Sequence, residues 1–129
     1  MRTFKAIFSG FVLFLMGSYA MAQVTLSASP SGLYFDQYVG QSYTKYSSVF
    51  INNYSEGSVT LQVNHSCSID YRVGTSCYGM YWNSGSCDIR VEFAPKNPGN
   101  SSCYVRVYGS PGGYTDVYVT GRARPKSTP

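Results

Sequence analysis

The clearest pattern in the chain is a strict alternation of apolar and charged residues in the segment SCDIRVEFAP. The apolar positions of this segment are Cys87, Ile89, Val91 and Phe93, and the charged positions are Asp88, Arg90 and Glu92. A period of two is typical of a β-strand with one buried and one exposed face. Glycine and serine before the segment, and proline and glycine after it, are typical of turns. We therefore expect a half-buried strand here, with Val91 and Phe93 in the core.

The same alternation recurs in short runs along the rest of the chain, and turn-forming residues separate these runs. They cover residues 24–28, 33–35, 42–53, 59–63, 69–73, 103–108 and 116–120. The motif SPSG divides the first two runs, which we interpret as one broken strand. No segment has a long apolar stripe with the helical period. The pattern predicts an all-β fold, an immunoglobulin-like antiparallel β-sandwich of about seven strands that occupies residues 23–121.

The first 22 residues have the pattern of a secretory signal peptide. Arg2 and Lys5 precede an apolar run at residues 6–15, and Ala20-Met21-Ala22 provides a small-x-small site before Gln23. A membrane anchor is the alternative, but a span needs about 20 consecutive apolar residues. No cysteine follows the small-residue site, so we do not expect a lipid-anchored form. We expect export to the periplasm, cell surface or medium, cleavage before Gln23, and no membrane insertion afterwards.

Charge excludes one class of partner. The chain has ten basic and six acidic residues, and removal of Arg2 and Lys5 leaves a net charge of +2. Three of the remaining basic residues lie in the segment RARPKSTP, which we expect to be a flexible basic tail at residues 122–129. Without this tail the domain is near neutral, so the sequence has no electrostatic signature of nucleic-acid binding.

Several motifs, in order along the chain, together carry a family resemblance. They are SPSGLYF near the start, SVFINNYSEGSVTLQV, the pair Asp70-Tyr71, the segment CYGMYWNSGSCDIRVEFAPKNPG, and VYVTGRA near the end. This set resembles the bacterial Hydin/abnormal-spindle (ASH) type of immunoglobulin-like domain, which is related to major sperm protein and is common in exported bacterial proteins (choice-of-anchor D-like). The resemblance implies an immunoglobulin-like fold. It does not identify a ligand, and the family does not generally require Cys67 and Cys103.

Four cysteines behind a signal peptide predict two disulfides in an oxidising compartment, with three pairings open. In this type of sandwich, the strands that begin at Cys87 and Cys103 run in opposite directions, which places those two residues at opposite poles. A disulfide needs Cα atoms within about 7 Å, so these two residues should not pair. The strand that ends near Cys67 should run antiparallel to the one that starts at Cys103. We therefore expect Cys77–Cys87 and Cys67–Cys103.

The sequence offers no catalytic site, metal site or cofactor site. The intervals between the cysteines lack the close C-x-x-C pairs of structural zinc sites, and His65 near Cys67 is an isolated histidine. Asp88 and Glu92 share a strand face, but Arg90 lies between them, which is typical of a solvated charged face. We therefore expect a non-enzymatic protein without metal or cofactor.

The tyrosines are the one feature of the sequence that indicates a candidate binding surface. If Val105 and Val107 face the core, then Tyr104, Arg106 and Tyr108 share the outer face of their strand. Tyr118 joins them from the next strand, and a register that pairs Val107 with Val117 places Arg106 opposite Tyr118. These residue types are enriched in binding hot spots, although cross-strand Tyr–Arg pairs also stabilise sheets that bind nothing.

A second candidate surface is the loop at residues 78–82, with Tyr81 and Trp82 as the candidate binding residues. The alternative is that Trp82 closes one end of the sandwich. Our leading hypothesis is an exported adhesion-type module that binds another protein through exposed strand faces or edges. A self-associating fibre or matrix subunit is the second hypothesis, and carbohydrate binding through Tyr81 and Trp82 is a weaker third.

Overall fold

Nine strands make up the protein in the computed structural model, which describes residues 23–126. They are β1 (Val24–Ser29), β2 (Gly32–Tyr38), β3 (Tyr43–Asn53), β4 (Val59–His65), β5 (Tyr71–Thr75), β6 (Gly79–Tyr81), β7 (Gly85–Phe93), β8 (Gly99–Ser110) and β9 (Tyr114–Arg124). The signal peptide expected at residues 1–22 lies outside the described residues, as do residues 127–129.

The strands form two sheets that pack face to face. The four-stranded sheet has the order β1-β3-β7-β5, and the five-stranded sheet has the order β2-β9-β8-β4-β6. Neighbouring strands are antiparallel, except that β2 and β9 are parallel. The all-β, immunoglobulin-like sandwich predicted from the alternation pattern is confirmed, with one parallel pair that the pattern did not predict.

The first predicted strand is two strands that lie in different sheets. β1 pairs with β3, whereas β2 pairs with β9. Between them, Pro30 has no N–H to contribute to a ladder, so pairing stops there and the chain can cross from one sheet to the other. The hydroxyl of Ser47 donates to the Pro30 carbonyl at 2.6 Å, which holds the crossing against β3.

Two strand predictions need correction in the middle of the chain. β5 begins at Tyr71 and not at Ile69, whose side chain is 87% exposed. β6, which pairs with β4 through the register Thr60–Met80, was not predicted. It has three residues, too few for an alternation pattern to be visible.

The predicted boundary of the basic tail is wrong for residues 122–124. β9 continues to Arg124, which lies opposite Tyr38 of β2. Ala123 is buried, and the Arg124 guanidinium donates two hydrogen bonds to Asp36 at 2.8 Å each. Backbone pairing and this ion pair therefore make Arg122, Ala123 and Arg124 part of the sheet.

The core lies between the sheets and is filled by inward residues of both. Val91 and Phe93 are 0% and 1% exposed, which confirms them as core positions. Phe93 stacks on Tyr71 with ring centroids 4.7 Å apart, and Phe35 from the other sheet lies 5.6 Å from Phe93. A Cβ at Gly121 would lie 2.3 Å from the Tyr71 hydroxyl oxygen, so only glycine allows β9 to approach this aromatic cluster.

Candidate functional site

Two disulfides fix the ends of the strands that carry the candidate surfaces. Cys67 is joined to Cys103 with Cα atoms 4.9 Å apart, and Cys77 is joined to Cys87 with Cα atoms 5.1 Å apart. These are the two pairs expected from the sequence. The first bridge ties the chain after β4 to β8, and the second ties the connection after β5 to β7.

The outward orientation expected for the β8 and β9 tyrosines is present in the structure. Val105 and Val107 are fully buried, and the residues that alternate with them point to solvent. Tyr104 and Tyr108 are 41% and 37% exposed, and Tyr118 on β9 is 61% exposed. The inward valines therefore decide which face the tyrosines occupy.

The predicted register between β8 and β9 is wrong by two residues. Arg106 lies opposite Asp116 and not opposite Tyr118, while Tyr104 lies opposite Tyr118. A slip of two residues keeps every side chain on its own face, so the apolar pattern alone cannot distinguish the two registers. The observed register is the one that pairs opposite charges. Gly113, which has a φ of 91°, allows the tight turn between the strands.

Arg106 is held in place by a carboxylate and two aromatic rings. Its guanidinium donates to the two Asp116 carboxylate oxygens at 2.7 and 2.9 Å. The carbon of the guanidinium lies 4.5 Å from the ring centroid of Tyr114 and 5.7 Å from that of Tyr104. The bidentate pair lowers the pKa of the Asp116 carboxyl below its ordinary value and raises the pKa of Arg106. Arg106 is thus a fixed, charge-compensated centre between two tyrosines.

A shallow groove of about 370 Å³ surrounds this centre. Its walls are formed by Asn64, Tyr104, Arg106, Tyr108, Gly113 and Tyr114. The hydroxyl of Tyr108 donates to the Gln62 side-chain oxygen at 3.0 Å, which extends the polar contacts onto β4. The groove therefore combines aromatic rings with amide and guanidinium groups that can form hydrogen bonds.

The parallel strand β2 extends the same surface beyond the predicted residues. The outer face of the five-stranded sheet carries six exposed tyrosines, which we call the tyrosine face: Tyr34, Tyr38, Tyr104, Tyr108, Tyr114 and Tyr118. Sequence reasoning missed three of them, Tyr34, Tyr38 and Tyr114. The alternation of Leu33 and Phe35 with Tyr34 was a usable signal, but the pairing of β2 with β9 was not predictable from it.

The loop at residues 78–82 is an exposed edge and not a plug of the sandwich. Trp82 is 62% exposed, so the alternative interpretation, in which it closes one end of the sandwich, is wrong. Tyr81 is half-buried and packs against the core, and its carbonyl accepts a hydrogen bond from Asn53 at 2.9 Å. Tyr81 and Trp82 therefore do not form one exposed aromatic platform. Met80 is 63% exposed and lies beside Thr60, at the β6 edge of the five-stranded sheet.

The described residues form neither a metal site nor a membrane-spanning helix. Within residues 23–126 there is no group of three or more side chains that could hold a metal ion. The His65 ring nitrogen Nδ1 accepts the Cys67 backbone N–H at 3.1 Å. Among the described residues, no helix has the length and apolar character needed to cross a membrane.

Comparison with known proteins finds similarity in fold but not in sequence. No protein-family model matches the sequence, and no curated protein sequence matches it. The structure is similar to the ASH/PapD-like domain of human CEP192 (PapD-like domain 7), with a TM-score of 0.62 and 10% identity over 79% of this chain and 87% of that one.

Two further similar structures are larger. One is a protein of unknown function from Porphyromonas gingivalis W83, with a TM-score of 0.55 and 12% identity over 77% of this chain and 46% of that one. The other is a family 123 glycoside hydrolase from Clostridium perfringens, with a TM-score of 0.53 and 9% identity over 82% of this chain and 28% of that one. At these identities the likeness is one of fold. It confirms the ASH-like immunoglobulin fold that the family resemblance of the sequence motifs implies.

Proposed function

We propose that the protein is an exported, non-enzymatic module that binds another protein through the tyrosine face. The observation that carries this proposal is the concentration of six exposed tyrosines on one sheet face, around a guanidinium held by a bidentate ion pair. Tyrosine and arginine dominate binding hot spots because they offer large contact areas with polar groups at the tip. ASH and major-sperm-protein-like domains, whose fold this chain shares, are generally protein-interaction modules.

Rigidity supports the assignment of the tyrosine face as the binding surface. Arg106 cannot rotate freely while both of its hydrogen bonds to Asp116 are made, and Tyr108 is tied to Gln62. Side chains that are already ordered lose less conformational entropy when a partner binds. Arg106 and Tyr108 are thus already held in place before a partner binds.

The two disulfides and the signal peptide expected at residues 1–22 support an oxidising compartment as the place of action. Both bridges join side chains that are close in the folded domain, and the chain has no free cysteine. Disulfides of this kind persist in secreted and periplasmic proteins and are rare in the cytosol. We therefore place the protein in the periplasm, at the cell surface or in the medium.

The test is capture of a partner from the producing cell's envelope, followed by a binding measurement with the purified partner. In the test variant, Tyr114→Ser and Tyr118→Ser are combined; in the matched control, Tyr43→Ser and Tyr54→Ser are combined. The exposed fractions are 61% and 61% for the first pair and 52% and 71% for the second. We expect the test variant to bind about thirtyfold more weakly and the control to bind normally. Equal binding by both variants would contradict the proposal.

Self-assembly through strand edges is the competing hypothesis, and two of the four described edge strands are too short to favour it. The edge strands β5 and β6 have five and three residues. The other two edge strands, β1 and β2, have six and seven residues, and on the β2 edge Lys45 donates to the Tyr34 carbonyl. Short or covered edges are poor templates for another chain. We expect a monomer in light scattering over a wide concentration range, and a growing oligomer would favour assembly instead.

A further inference from the structure

A second arginine, Arg90, occupies the outer face of the four-stranded sheet without a carboxylate partner. Within residues 23–126 it forms no ion pair, whereas Arg106 on the opposite side of the sandwich is bound by Asp116. Arg90 lies on β7, with Tyr46 of β3 opposite on one side and Gly74 of β5 opposite on the other. An arginine in this position keeps its hydrogen-bond donors available to a ligand.

Gly74 forms a floor on which the guanidinium lies. A Cβ at this position would lie 3.0 Å from Nη2 and 3.3 Å from Nε of Arg90, so any side chain here would push the guanidinium away. Tyr46, whose side chain is 61% exposed, provides an apolar ring on the other side of Arg90. The three residues make a row across three strands, with a flat cation at its centre.

The next row along the strands is polar and fixed by hydrogen bonds. The Ser48 hydroxyl donates to the Asp88 carboxylate at 3.2 Å, and the Ser76 hydroxyl oxygen accepts the Asp88 backbone N–H at 2.9 Å. Thr75 donates its hydroxyl to the Asp88 carbonyl at 2.9 Å. The Cys77–Cys87 disulfide, immediately beside Ser76 and Asp88, holds these two segments together.

These two rows border a shallow cleft of about 330 Å³ that is widely open to solvent. It is lined by Tyr46, Gly74, Thr75, Ser76, Asp88 and Arg90. A volume of this size is at the lower end of the range for small-molecule sites, which suits a ligand of one or two rings. The cleft offers a cation that needs an acceptor, a carboxylate that needs donors, and an aromatic ring that needs an apolar surface.

We propose that this cleft binds an acidic sugar, such as a uronic acid unit of a polysaccharide. The sugar carboxylate accepts two hydrogen bonds from the Arg90 guanidinium, since guanidinium and carboxylate match in a planar, bidentate geometry. The sugar hydroxyls donate to Asp88, and the C–H face of the pyranose ring packs on Tyr46. This site lies on the sheet opposite the tyrosine face, so it goes beyond the proposed protein-binding function.

The same groups disfavour the other common anionic ligands. A phosphate dianion carries two negative charges and would be repelled by Asp88 in the cleft about twice as strongly as the single charge of a sugar carboxylate. An acidic side chain of a peptide would satisfy Arg90 but has no hydroxyl groups to donate to Asp88. A neutral sugar would leave the guanidinium without the charged acceptor that it fits best.

The experiment is an NMR titration of the ¹⁵N-labelled protein, with both disulfides formed, against trigalacturonic acid. Three comparison ligands separate the contributions of charge and sugar: the fully methyl-esterified trisaccharide, a neutral trisaccharide, and triglutamate. We expect saturable shifts at Tyr46, Gly74 and Arg90 with the sugar acid. We expect a dissociation constant at least about tenfold higher for each comparison ligand.

Variants test whether Arg90 itself is responsible. Arg90→Gln should weaken binding of trigalacturonic acid at least about tenfold, and Gly74→Ala should also weaken it because the added methyl displaces the guanidinium. The matched control is Arg72→Gln, which removes the same charge from an 81% exposed side chain on the neighbouring strand. We expect this control to change binding less than about twofold, because exposed charges outside the cleft are screened by salt.

Four results would overturn the acidic-sugar proposal. They are the absence of saturable shifts, equal binding of the methyl ester, equal binding of triglutamate, and equal weakening by Arg72→Gln. Dispersed amide spectra of all variants serve as the control for folding. The protein-binding role of the tyrosine face is read in a separate experiment, so failure of one proposal leaves the other unaffected.

Discussion

The outer faces of the two sheets differ in how their arginines are paired and in how many aromatic side chains they expose. On the five-stranded sheet, Arg106 and Arg124 each form a bidentate pair with an aspartate at 2.7–2.9 Å, among six exposed tyrosines. On the four-stranded sheet, the described ion pair is Arg72–Glu92 at 3.9 Å, and Arg90 has no carboxylate partner among the described residues. The outward face of β3 beside them carries Ser48 together with the exposed rings of Tyr46 and Phe50.

This difference is the reason why we propose a different kind of ligand for each face. An aromatic surface whose central arginine, Arg106, is already paired with Asp116 suits a protein partner, because that side chain loses little conformational freedom on binding. An unpaired guanidinium beside a glycine suits a small ligand that brings its own carboxylate. Both faces rest on one shared core, so changes on either face can be made without a change of fold.

The largest expected effect is in the core that both faces share. Phe93 is 1% exposed and stacks on Tyr71, so Phe93→Ala should lower the free energy of unfolding by about 3–5 kcal/mol. Its outward neighbour Glu92 is the matched control, and Glu92→Ala should cost about 0.5 kcal/mol or less. Urea unfolding measures both. Equal stability of Phe93→Ala and the wild type would show that β7 does not contribute its inner face to the core.

The two disulfides provide the next comparison between the sheets. Cys67–Cys103 closes a loop of 36 residues next to the tyrosine face, and Cys77–Cys87 closes a loop of 10 residues next to the Arg90 cleft. Loop-closure entropy predicts losses of about 4 kcal/mol and about 3 kcal/mol when each pair is replaced by serine. Thermal unfolding of the two double variants measures the order. A greater loss for Cys77 and Cys87 would show that local packing outweighs chain entropy.

Low pH should lower the free energy of unfolding through Asp116, which lies in the five-stranded sheet. Its carboxyl pKa is lowered from 3.8 by the hydrogen bonds to Arg106, so this stabilisation is complete above that value and is lost as pH falls through the folded-state pKa. The stability difference between wild type and Asp116→Asn should therefore be largest near neutral pH and disappear in acid. Urea unfolding from pH 7 to pH 2 measures it. A difference that is independent of pH would contradict the ion pair.

The smallest expected effect is the loss of tyrosines from the surface. Tyr114→Ser combined with Tyr118→Ser should lower the free energy of unfolding by about 1 kcal/mol, since each side chain is exposed and loses only cross-strand contacts. Circular dichroism and urea unfolding measure this change. A loss as large as that of Phe93→Ala would mean that the tyrosines are structural and that their effect on binding is indirect.

Alternation predicted the strands with strong inward residues and missed the others. Val105, Val107, Val117 and Val119 are all fully buried, as the pattern required. The predicted end of β9 at residue 120 is too early, because the last inward residues of this strand, Gly121 and Ala123, are small. Position 121 must be small because it lies against the rings of Tyr71 and Phe93. The packing therefore excludes the large apolar residue by which the alternation pattern would identify this position as inward.

The sequence predicts which face of the sheet the candidate residues occupy. It does not predict the register between β8 and β9, or that β2 lies next to β9. The inward valines placed Tyr104, Tyr108 and Tyr118 correctly on one side of the sheet. The partner of Arg106 was wrong because a two-residue slip leaves the pattern unchanged, and only the position of Asp116 distinguishes the registers. Tyr34 and Tyr38 were missed because β2 reaches this sheet by parallel pairing with β9, which is a non-local contact.

Hydroxyl-radical footprinting of the protein with and without its captured partner tests the central claim most directly. Exposed tyrosines report on both faces in one experiment: Tyr114 and Tyr118 on the tyrosine face, and Tyr46 on the four-stranded sheet, each 61% exposed. We predict that the partner strongly slows oxidation of Tyr114 and Tyr118 and leaves that of Tyr46 unchanged. Protection of Tyr46, with Tyr114 and Tyr118 oxidised at their free rates, would contradict the assignment of the tyrosine face as the protein-binding surface.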